Sequence, residues 1–378
     1  MERRPERFGF FNMPLDLNSF ARVPFPFWSV VFFVFGCLWG SFLNVCIYRM
    51  PRNESVVHPP SHCPHCQYAI PWFLNVPLVT WIVLRGRCRN CAAPISIRYF
   101  LVELLTGLAF LGCWIAFGKI SVGVALVYCL VMAGFLVATF IDLEHFIIPD
   151  EITLGGTVVG ILASALVPAL HGETQTAMSL KQSMIGAAAG AGIVYAILRA
   201  GKLAFGKERI KLPPGSRVIF TETSIQLPEE EIPYEEIFYR KTDKITLLAK
   251  TVELSEVCYF NARVSLSQSE LKIGDVILNP ESVPRMEVVT DEVVRSREAM
   301  GFGDVKFMAA IGAFLGWKAV VFSLMVSSML GAVVGLVLIA TKRQEWSSRL
   351  PYGPYIALAA AIWIFAGPQI ITTFFPMP

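Results

Sequence analysis

The sequence predicts a polytopic α-helical membrane protein of about eight transmembrane helices, with a cysteine-rich loop and a small β-rich insert. Of the 378 residues, 54% are hydrophobic and only 16% are charged, whereas soluble domains carry about 25% charged residues. Apolar runs of about 20 residues, the length that crosses a bilayer, recur along the chain. One charged block interrupts them with short alternating runs. A net charge of +3, without a basic stripe carrying interleaved aromatics, gives no support for a nucleic-acid partner.

The membrane-spanning elements lie on both sides of the charged block. After an N-terminal tail, residues 1–25, comes an apolar run that is too long for a signal-peptide core and lacks an A-x-A cleavage pattern, so we expect a retained anchor. The candidate spans are residues 26–48, 100–118, 121–141, 152–170, 183–200, 305–317, 318–340 and 354–375. The run at 305–317 is short, and it forms a span only if it starts near Gly301 and returns through a turn at Gly316–Lys318.

Lysine and arginine residues predict the orientation, since cytoplasmic loops carry their excess. With eight spans, the basic loops all lie on one side, which we place in the cytoplasm, with both termini outside. These loops hold Arg49, Arg52, Arg85, Arg87, Arg89 and Arg98 after the first span, Arg199, Lys202, Lys207, Arg209 and Lys211 after the fifth, and Lys342, Arg343 and Arg349 after the seventh. The N-terminal tail argues against this orientation through Arg3, Arg4, Arg7 and Arg22.

The charged block, residues 205–297, predicts a cytoplasmic insert built of short strands. Its segments SRVIFTET, KITLLAKTVEL, CYFNARVSL and DVILNP alternate apolar and polar residues with a period of two. A block of this length can form a small independent β domain. It separates helices two to five, within 100–204, from the last three helices, within 298–378. The acidic stretch LPEEEIPYEEIFYR in this insert is most simply a solvated face.

Four of the nine cysteines form a pattern typical of a metal site. Cys63-x2-Cys66 and Cys88-x2-Cys91 are separated by twenty-one residues. Two such CxxC turns, here called knuckles, suit tetrahedral coordination of zinc by thiolates. Because four protein ligands close the coordination shell, the site would be structural. Zinc would organise the cytoplasmic loop at 49–99, which is too short to bury a core of its own. The alternatives are two reduced, unligated turns or a redox pair.

Two aspartates lie at the ends of predicted spans on the same, cytoplasmic side. Asp142 follows the third span in ATFIDLEHFIIPDEITL, and Asp304 opens the sixth in GFGDVKFMAAIGAFLG. If their carboxyl groups approach within hydrogen-bonding reach, the pair would share a proton, as in aspartic proteases. One carboxylate could then take a proton from water while the other polarises a scissile carbonyl. Alternatively they are helix-end acids that favour the helix dipole, which is what we expect of Asp150.

Several motifs, in order, resemble one family, the type IV prepilin peptidases among the GxGD aspartic proteases. GFGDVK resembles the GxGD signature, and IDLEHFIIPD resembles the first-aspartate motif. GSFLNVCIYRMP resembles the family's first span and its exit, the knuckle loop leading into ISIRYFLVELLTG resembles its cytoplasmic domain, and LPYGPYIALAA resembles the start of its last span. The resemblance covers about residues 30–375 except the insert, in whose place the family usually has a short loop.

The resemblance implies a multi-pass aspartic endopeptidase of the bacterial cytoplasmic (inner) membrane. Its substrates would be type IV prepilin-like and pseudopilin precursors with a hydrophobic N-terminal helix, cut after the leader at the cytoplasmic face. Many members also methylate the new N-terminus with S-adenosylmethionine, although the sequence shows no Gly-rich phosphate cradle or dinucleotide fingerprint. Carried onto this chain, Asp142 and Asp304 would be the catalytic pair, and the four cysteines would be the zinc ligands.

Four further residues have supporting roles by the same resemblance. Gly301 and Gly303 would shape the turn that presents Asp304, and a position without a Cβ would let the substrate backbone come close. Lys306 would either favour the ionised form of an aspartate or face lipid headgroups. Glu103, an acid inside the second span, would either meet the new amino group of the substrate or reach towards the interface.

A non-enzymatic alternative stays open from the sequence. In it, the chain is a membrane component of a pilus or type II secretion assembly whose zinc loop and insert dock partners, and the aspartates are helix-boundary acids. Carboxylates more than about 10 Å apart, too far for one water to bridge, would favour it. A transporter is less favoured, because acids at one boundary without charge at mid-depth do not form a permeation path. The insert could regulate access, dock an assembly ATPase or recognise unusual substrates.

Overall fold

The computed structural model divides the chain into two compact units. One contains the described residues up to Ile193 and from Phe302 onward, and the other, here called the β unit, is Val194–Gly301. The structure describes residues 24–205, 207–228, 230–238, 243–254, 257–296, 301–341 and 350–374. The predicted N-terminal tail, apart from its last two residues, and the basic residues Lys342, Arg343 and Arg349 lie outside these ranges.

Helices account for nearly all of the first unit outside the cysteine-rich loop. The described residues form the α-helices α1 (Phe25–Arg49), α2 (Val79–Val83), α3 (Ile97–Phe117), α4 (Val122–His145), α5 (Asp150–Leu166), α6 (Thr176–Phe205), α7 (Tyr234–Ile237), α8 (Phe302–Ala340) and α9 (Gly353–Phe374). Short 3-10 helices lie at Met50–Arg52, Trp72–Leu74, Pro168–His171 and Pro280–Ser282. Within the part of the chain that the structure describes, five segments are long and apolar enough to cross a membrane, namely Phe25–Arg52, Ile97–Phe117, Val122–His145, Thr176–Leu203 and Phe302–Ala340, with a shorter apolar stretch at Gly353–Gly367.

Helix α8 contains a break where the sequence predicted a turn. Gly316 has φ 80° and ψ 171°, which is a non-helical conformation inside a run of 39 residues. Glycine tolerates positive φ without a Cβ clash, so the residue fits its position. The break separates a short segment, which begins at Phe302 and contains Asp304, from a longer one of span length. The predicted spans at 305–317 and 318–340 therefore correspond to the two parts of α8.

Glycines let pairs of helices pack closely in the first unit. A Cβ added at Gly40 of α1 would lie 2.7 Å from the Cα of Glu103 in α3. A Cβ at Gly186 of α6 would lie 2.0 Å from the carbonyl oxygen of Gly312 in α8. Small residues at such crossings allow backbones to approach, which is the usual basis of helix packing in membranes. The two contacts fix α1 against α3 and α6 against α8.

The β unit is an eight-stranded antiparallel sheet with strand order β3-β2-β1-β8-β4-β5-β6-β7. The strands are β1 (Lys207–Phe220), β2 (Ser224–Gln226), β3 (Glu231–Pro233), β4 (Ile245–Glu253), β5 (Cys258–Leu266), β6 (Leu271–Ile273), β7 (Val276–Leu278) and β8 (Met286–Ser296). The four alternating segments that predicted strands overlap β1, β4, β5 and β7. Alternate residues of β4, such as Ile245, Leu247 and Ala249, point into one buried core.

Candidate functional site

Asp142 lies in the last turn of α4, where the chain leaves the helix. The next turn is closed by Phe146, which has a left-handed φ of 55° and donates its backbone N–H to the carbonyl oxygen of Asp142 at 3.0 Å. The chain then runs through Ile148 and Pro149 directly into α5. Asp142 is only 6% exposed. A carboxyl group so placed needs a protein partner, because burying an unpaired charge is costly.

That partner is the backbone of Gly353, the first residue of α9. Its N–H donates to Oδ2 of Asp142 at 2.8 Å. The first N–H groups of a helix have no partner within the helix, and its N-terminus carries a partial positive charge, so this position suits a carboxylate. Gly353 also has no room for a side chain, since an added Cβ would lie 2.8 Å from Oδ2 of Asp142 and 3.2 Å from Cδ1 of Ile148.

Asp304 is the third residue of α8 and is 8% exposed. The residue before it, Gly303, packs on the loop that follows α4. A Cβ added at Gly303 would lie 3.6 Å from Cβ of Ile148 and 3.8 Å from its backbone nitrogen and oxygen. These are ordinary contact distances, so Gly303 is close to Ile148 without needing to be glycine for that contact. Gly303 does not have a positive φ.

Ile148 joins the segments that carry the two aspartates. It is 8% exposed and lies against Gly303, next to Asp304, and against Gly353, the hydrogen-bond donor of Asp142. The rings of Phe135, two turns before Asp142 in α4, and Phe307, one turn after Asp304 in α8, meet edge to face with centroids 5.8 Å apart. The end of α4, the start of α8 and the start of α9 therefore come together around one buried isoleucine.

Lys306 forms an ion pair that the sequence did not predict. Its Nζ lies 2.6 Å from Oδ1 of Asp150, the first residue of α5. The ammonium also lies 5.4 Å from the centroid of the Phe302 ring. The pair joins the starts of α8 and α5, and Asp150 is in the first helical turn, as expected of an acid that favours the helix dipole.

The four cysteines of the predicted metal site converge. Their sulfur atoms all lie within 4.8 Å of one another, with 3.8 Å between Sγ of Cys63 and Cys91 and 4.0 Å between Sγ of Cys66 and Cys88. Tetrahedral zinc with Zn–S bonds of about 2.3 Å requires sulfur atoms about 3.8 Å apart. The spacing of the sulfurs thus fits a zinc site with four thiolate ligands and is too long for disulfides.

The two knuckles have matching backbones, which explains how the cysteines are brought together. Cys63 donates its N–H to Tyr68 and accepts from Gln67, and Cys88 donates to Ala93 and accepts from Ala92 in the same way. Gln67 and Ala92 occupy the same place in their turns, and each has a left-handed φ of 56°.

The amide group of Asn90 lies beside one of these thiols. Its Nδ2 donates to Sγ of Cys66 at 3.6 Å, and this hydrogen bond is the main reason that the pKa of Cys66 falls to about 6. A lowered pKa favours the thiolate form that binds metal.

Glu103 faces the cysteine-rich loop. It is 9% exposed, and its Oε2 accepts the backbone N–H of Leu78 at 2.7 Å. Leu78 has φ 62° and ψ −52°, and the N–H of Val79 donates to the carbonyl of Pro77 at 2.6 Å, which defines a γ-turn of the rare, strained kind. Glu103 therefore holds the loop to α3 by stabilising a turn that leucine does not favour.

Sequence reasoning missed two residues of the aspartate cluster, Gly353 and Ile148. Gly353 lies in the motif LPYGPYIALAA, and a Gly-Pro pair directly before an apolar run is a helix-start signal. That signal marks a backbone N–H without a helical partner, but not the carboxylate it contacts. Ile148 carries no chemical signal at all, because an isoleucine beside a helix end is typical of packing.

Comparison with known proteins places most of the chain in two family regions. A sequence profile of the bacterial peptidase A24 N-terminal domain matches residues 34–117, and one of the type IV leader peptidase family matches residues 129–212 and 275–336. The gap in the second match falls within the β unit. No solved structure matches the chain.

Curated relatives match over nearly the whole length. A prepilin leader peptidase/N-methyltransferase of Aeromonas hydrophila is 30% identical over an alignment of 387 positions, gaps included, that covers 95% of this chain and 97% of the relative. A protein of the same name from Pectobacterium carotovorum subsp. carotovorum is 28% identical, covering 91% of this chain and 95% of the relative. A third, from Myxococcus xanthus (strain DK1622), is 48% identical over 137 residues, covering 36% of this chain and 40% of the relative.

Proposed function

The chain belongs to the type IV leader peptidase family, and on that premise we propose that Asp142 and Asp304 are the carboxylate pair with which it removes leader peptides from type IV prepilin-like and pseudopilin precursors. The resemblance drawn from the sequence motifs is confirmed by these matches. The observation that carries the proposal for the two aspartates is the packing of both aspartate segments on Ile148.

In the proposed reaction, the two carboxyl groups share one proton and hold one water molecule. The ionised carboxylate takes a proton from this water, and the protonated one donates to the scissile carbonyl oxygen. Asp142 is kept in position by the N–H of Gly353 at the start of α9. That hydrogen bond holds one oxygen of the Asp142 carboxyl group, and the pair divides the proton-accepting and proton-donating roles between its two carboxyl groups.

The position of the pair at helix ends suits a substrate that lies in the membrane. A precursor with a hydrophobic N-terminal helix would place that helix among the apolar helices of the bundle and its leader outside the bilayer. We propose that the bundle crosses the bacterial inner membrane eight times, counting α8 as two spans at Gly316. The excess of basic residues in the loops supports a cytoplasmic location for the aspartates and the cysteine-rich loop.

The four cysteines would hold a structural zinc ion. Its role would be to fix the two knuckles of the loop at 49–99, since four thiolates leave no position for substrate. The hydrogen bond from Leu78 to Glu103 then connects this loop to α3. We expect the folding of the loop to depend on zinc, and the folding of the helical bundle to depend on zinc much less.

The relatives are also named as N-methyltransferases. We propose that this chain methylates the new N-terminus as well, with S-adenosylmethionine as the donor of the methyl group. The described residues do not define a donor site.

One experiment tests both activities. Purified full-length chain, reconstituted in lipid, is incubated with a prepilin-like precursor and S-adenosylmethionine, and the N-terminal peptide of the product is weighed. We expect loss of the leader, and a gain of about 14 Da on the new N-terminus if the terminus is methylated. Asp142→Asn should abolish the cleavage, whereas Gly155→Ala, a helix position with open space around it, should not. A variant at Asp142 that cleaves normally would remove this residue from the mechanism.

A further inference from the structure

The β unit contains a cavity that the peptidase reaction does not use. Its volume is about 530 Å³, which is within the range of about 300–1,000 Å³ typical of ligand sites. Residues from β1, β5, β6 and β8 line it together with α7 and the 3-10 helix at Pro280–Ser282. Strands that are not neighbours in the sheet, such as β8 and β5, thus line the same cavity.

The floor of the cavity is apolar and well ordered by packing. Phe220, Leu271 and Met286 each line it and are at most 3% exposed. Tyr234 and Phe238 form one wall, with ring centroids 5.4 Å apart. The side chain of Gln268 donates from Nε2 to the carbonyl oxygen of Phe238 at 2.7 Å and so holds this wall to the β5–β6 turn.

The rim is acidic. Glu222 and Glu281 both line the cavity, and both are exposed. Among the described residues, neither carboxylate belongs to an ion pair, whereas other acids of the β unit such as Glu287 and Asp291 do. Two unpaired carboxylates next to an aromatic wall attract a cation, which can also contact the face of a tyrosine or phenylalanine ring.

We propose that this cavity binds a peptide segment in which a lysine or arginine adjoins a large apolar residue. The apolar side chain would occupy the floor at Leu271 and Met286, and the cationic group would lie between the carboxylates of Glu222 and Glu281. A small polyamine would pair with the carboxylates of the rim and leave the apolar floor empty. An uncharged apolar ligand would fill the floor and leave the carboxylates without a cation. A peptide that joins both groups matches both parts of the cavity. The inference goes beyond leader cleavage and does not depend on the aspartate pair.

Fluorescence anisotropy of a labelled short peptide of alternating lysine and phenylalanine tests the proposal. The full chain in detergent is titrated into this peptide, with empty detergent micelles as the blank. We expect saturable binding that weakens about five- to tenfold in the double variant Glu222→Gln/Glu281→Gln, as expected for two exposed charge pairs. Asp275→Asn, an exposed acid in the β6–β7 turn that does not line the cavity, is the matched control and should change affinity less than twofold.

Two peptide variants and one competitor decide the ligand class. Replacing the phenylalanines with alanine, or the lysines with glutamate, should each weaken binding at least fivefold. Spermidine should displace the peptide only at concentrations far above the peptide's Kd. Equal loss of binding in Asp275→Asn, full binding by the double variant, or displacement by spermidine at the peptide's own Kd would each overturn the proposal. The substituted side chains are exposed, so a thermal unfolding curve for each variant should match that of the wild-type chain.

Discussion

Replacing Gly353 with alanine should damage the aspartate cluster without unfolding the bundle. The new Cβ would lie 2.8 Å from Oδ2 of Asp142, about 0.6 Å short of the 3.4 Å at which ordinary contact begins. The backbone fixes the position of this Cβ, and Cδ1 of Ile148 lies 3.2 Å from the same point, so the site is tight on a second side. Either the carboxylate of Asp142 or the start of α9 must therefore move, and the hydrogen bond of 2.8 Å between them is lengthened or lost.

The expected fall in kcat/KM for leader cleavage follows from the strength of that hydrogen bond. A hydrogen bond to a charged group contributes about 1.5–3 kcal/mol. If the lost bond holds Asp142 in its reactive position, kcat/KM for leader cleavage should fall about ten- to a hundredfold, at about 1.4 kcal/mol per factor of ten. Alanine is otherwise well tolerated at a helix start, so the thermal unfolding midpoint should shift little.

Cleavage of a prepilin-like precursor by reconstituted protein, followed over time by mass spectrometry, measures the effect. Gly155→Ala is the matched control, because a Cβ there meets nothing within 4 Å. We expect this variant to cleave at the wild-type rate. A Gly353→Ala protein that folds and cleaves at half the wild-type rate or more would refute the role given to the Gly353 N–H.

The other predictions concern the loop and the ion pair. Cys88→Ser should remove most of the zinc measured by mass spectrometry of the purified protein, and zinc absent from the wild type would contradict the four-cysteine site. Glu103→Ala should speed limited proteolysis around Leu78 several-fold, because the strained turn loses its acceptor, and it should leave zinc content unchanged; unchanged proteolysis would contradict the anchoring role. Lys306→Met should lower leader cleavage less than about fivefold, since a partly exposed ion pair contributes about 0.2–1 kcal/mol, and abolished cleavage would indicate a direct part for Lys306.

Features with a local signature could be predicted from the sequence. Two CxxC pairs predict a metal site by spacing alone, and the sulfur atoms do converge. Hydropathy located the long apolar helices, and the glycine at 316 marked the break in α8. Alternation located four of the strands in the β unit. In each case a few neighbouring residues determine the backbone or the ligand set, so no tertiary information is required.

Contacts between distant segments could not be predicted in this way. Asp142 and Gly353 are far apart in the sequence, and their hydrogen bond depends on how the end of α4 packs beside the start of α9. The same holds for Lys306 and Asp150. The sequence left Lys306 between an aspartate and lipid headgroups, and nothing local identified Asp150 as its partner. The left-handed Leu78 is a further case, because leucine gives no local reason for positive φ and the turn is held by Glu103 from another helix.

The most direct test of the proposed mechanism is single-turnover cleavage of one precursor by the wild type, Asp142→Asn, Asp304→Asn and the double variant. Residues that act as a unit lose their function together rather than additively. We predict that each single variant falls to the level of the double variant, with zinc content and thermal unfolding unchanged. Cleavage by either single variant well above the level of the double variant would contradict the claim that the two carboxyl groups work on one water molecule.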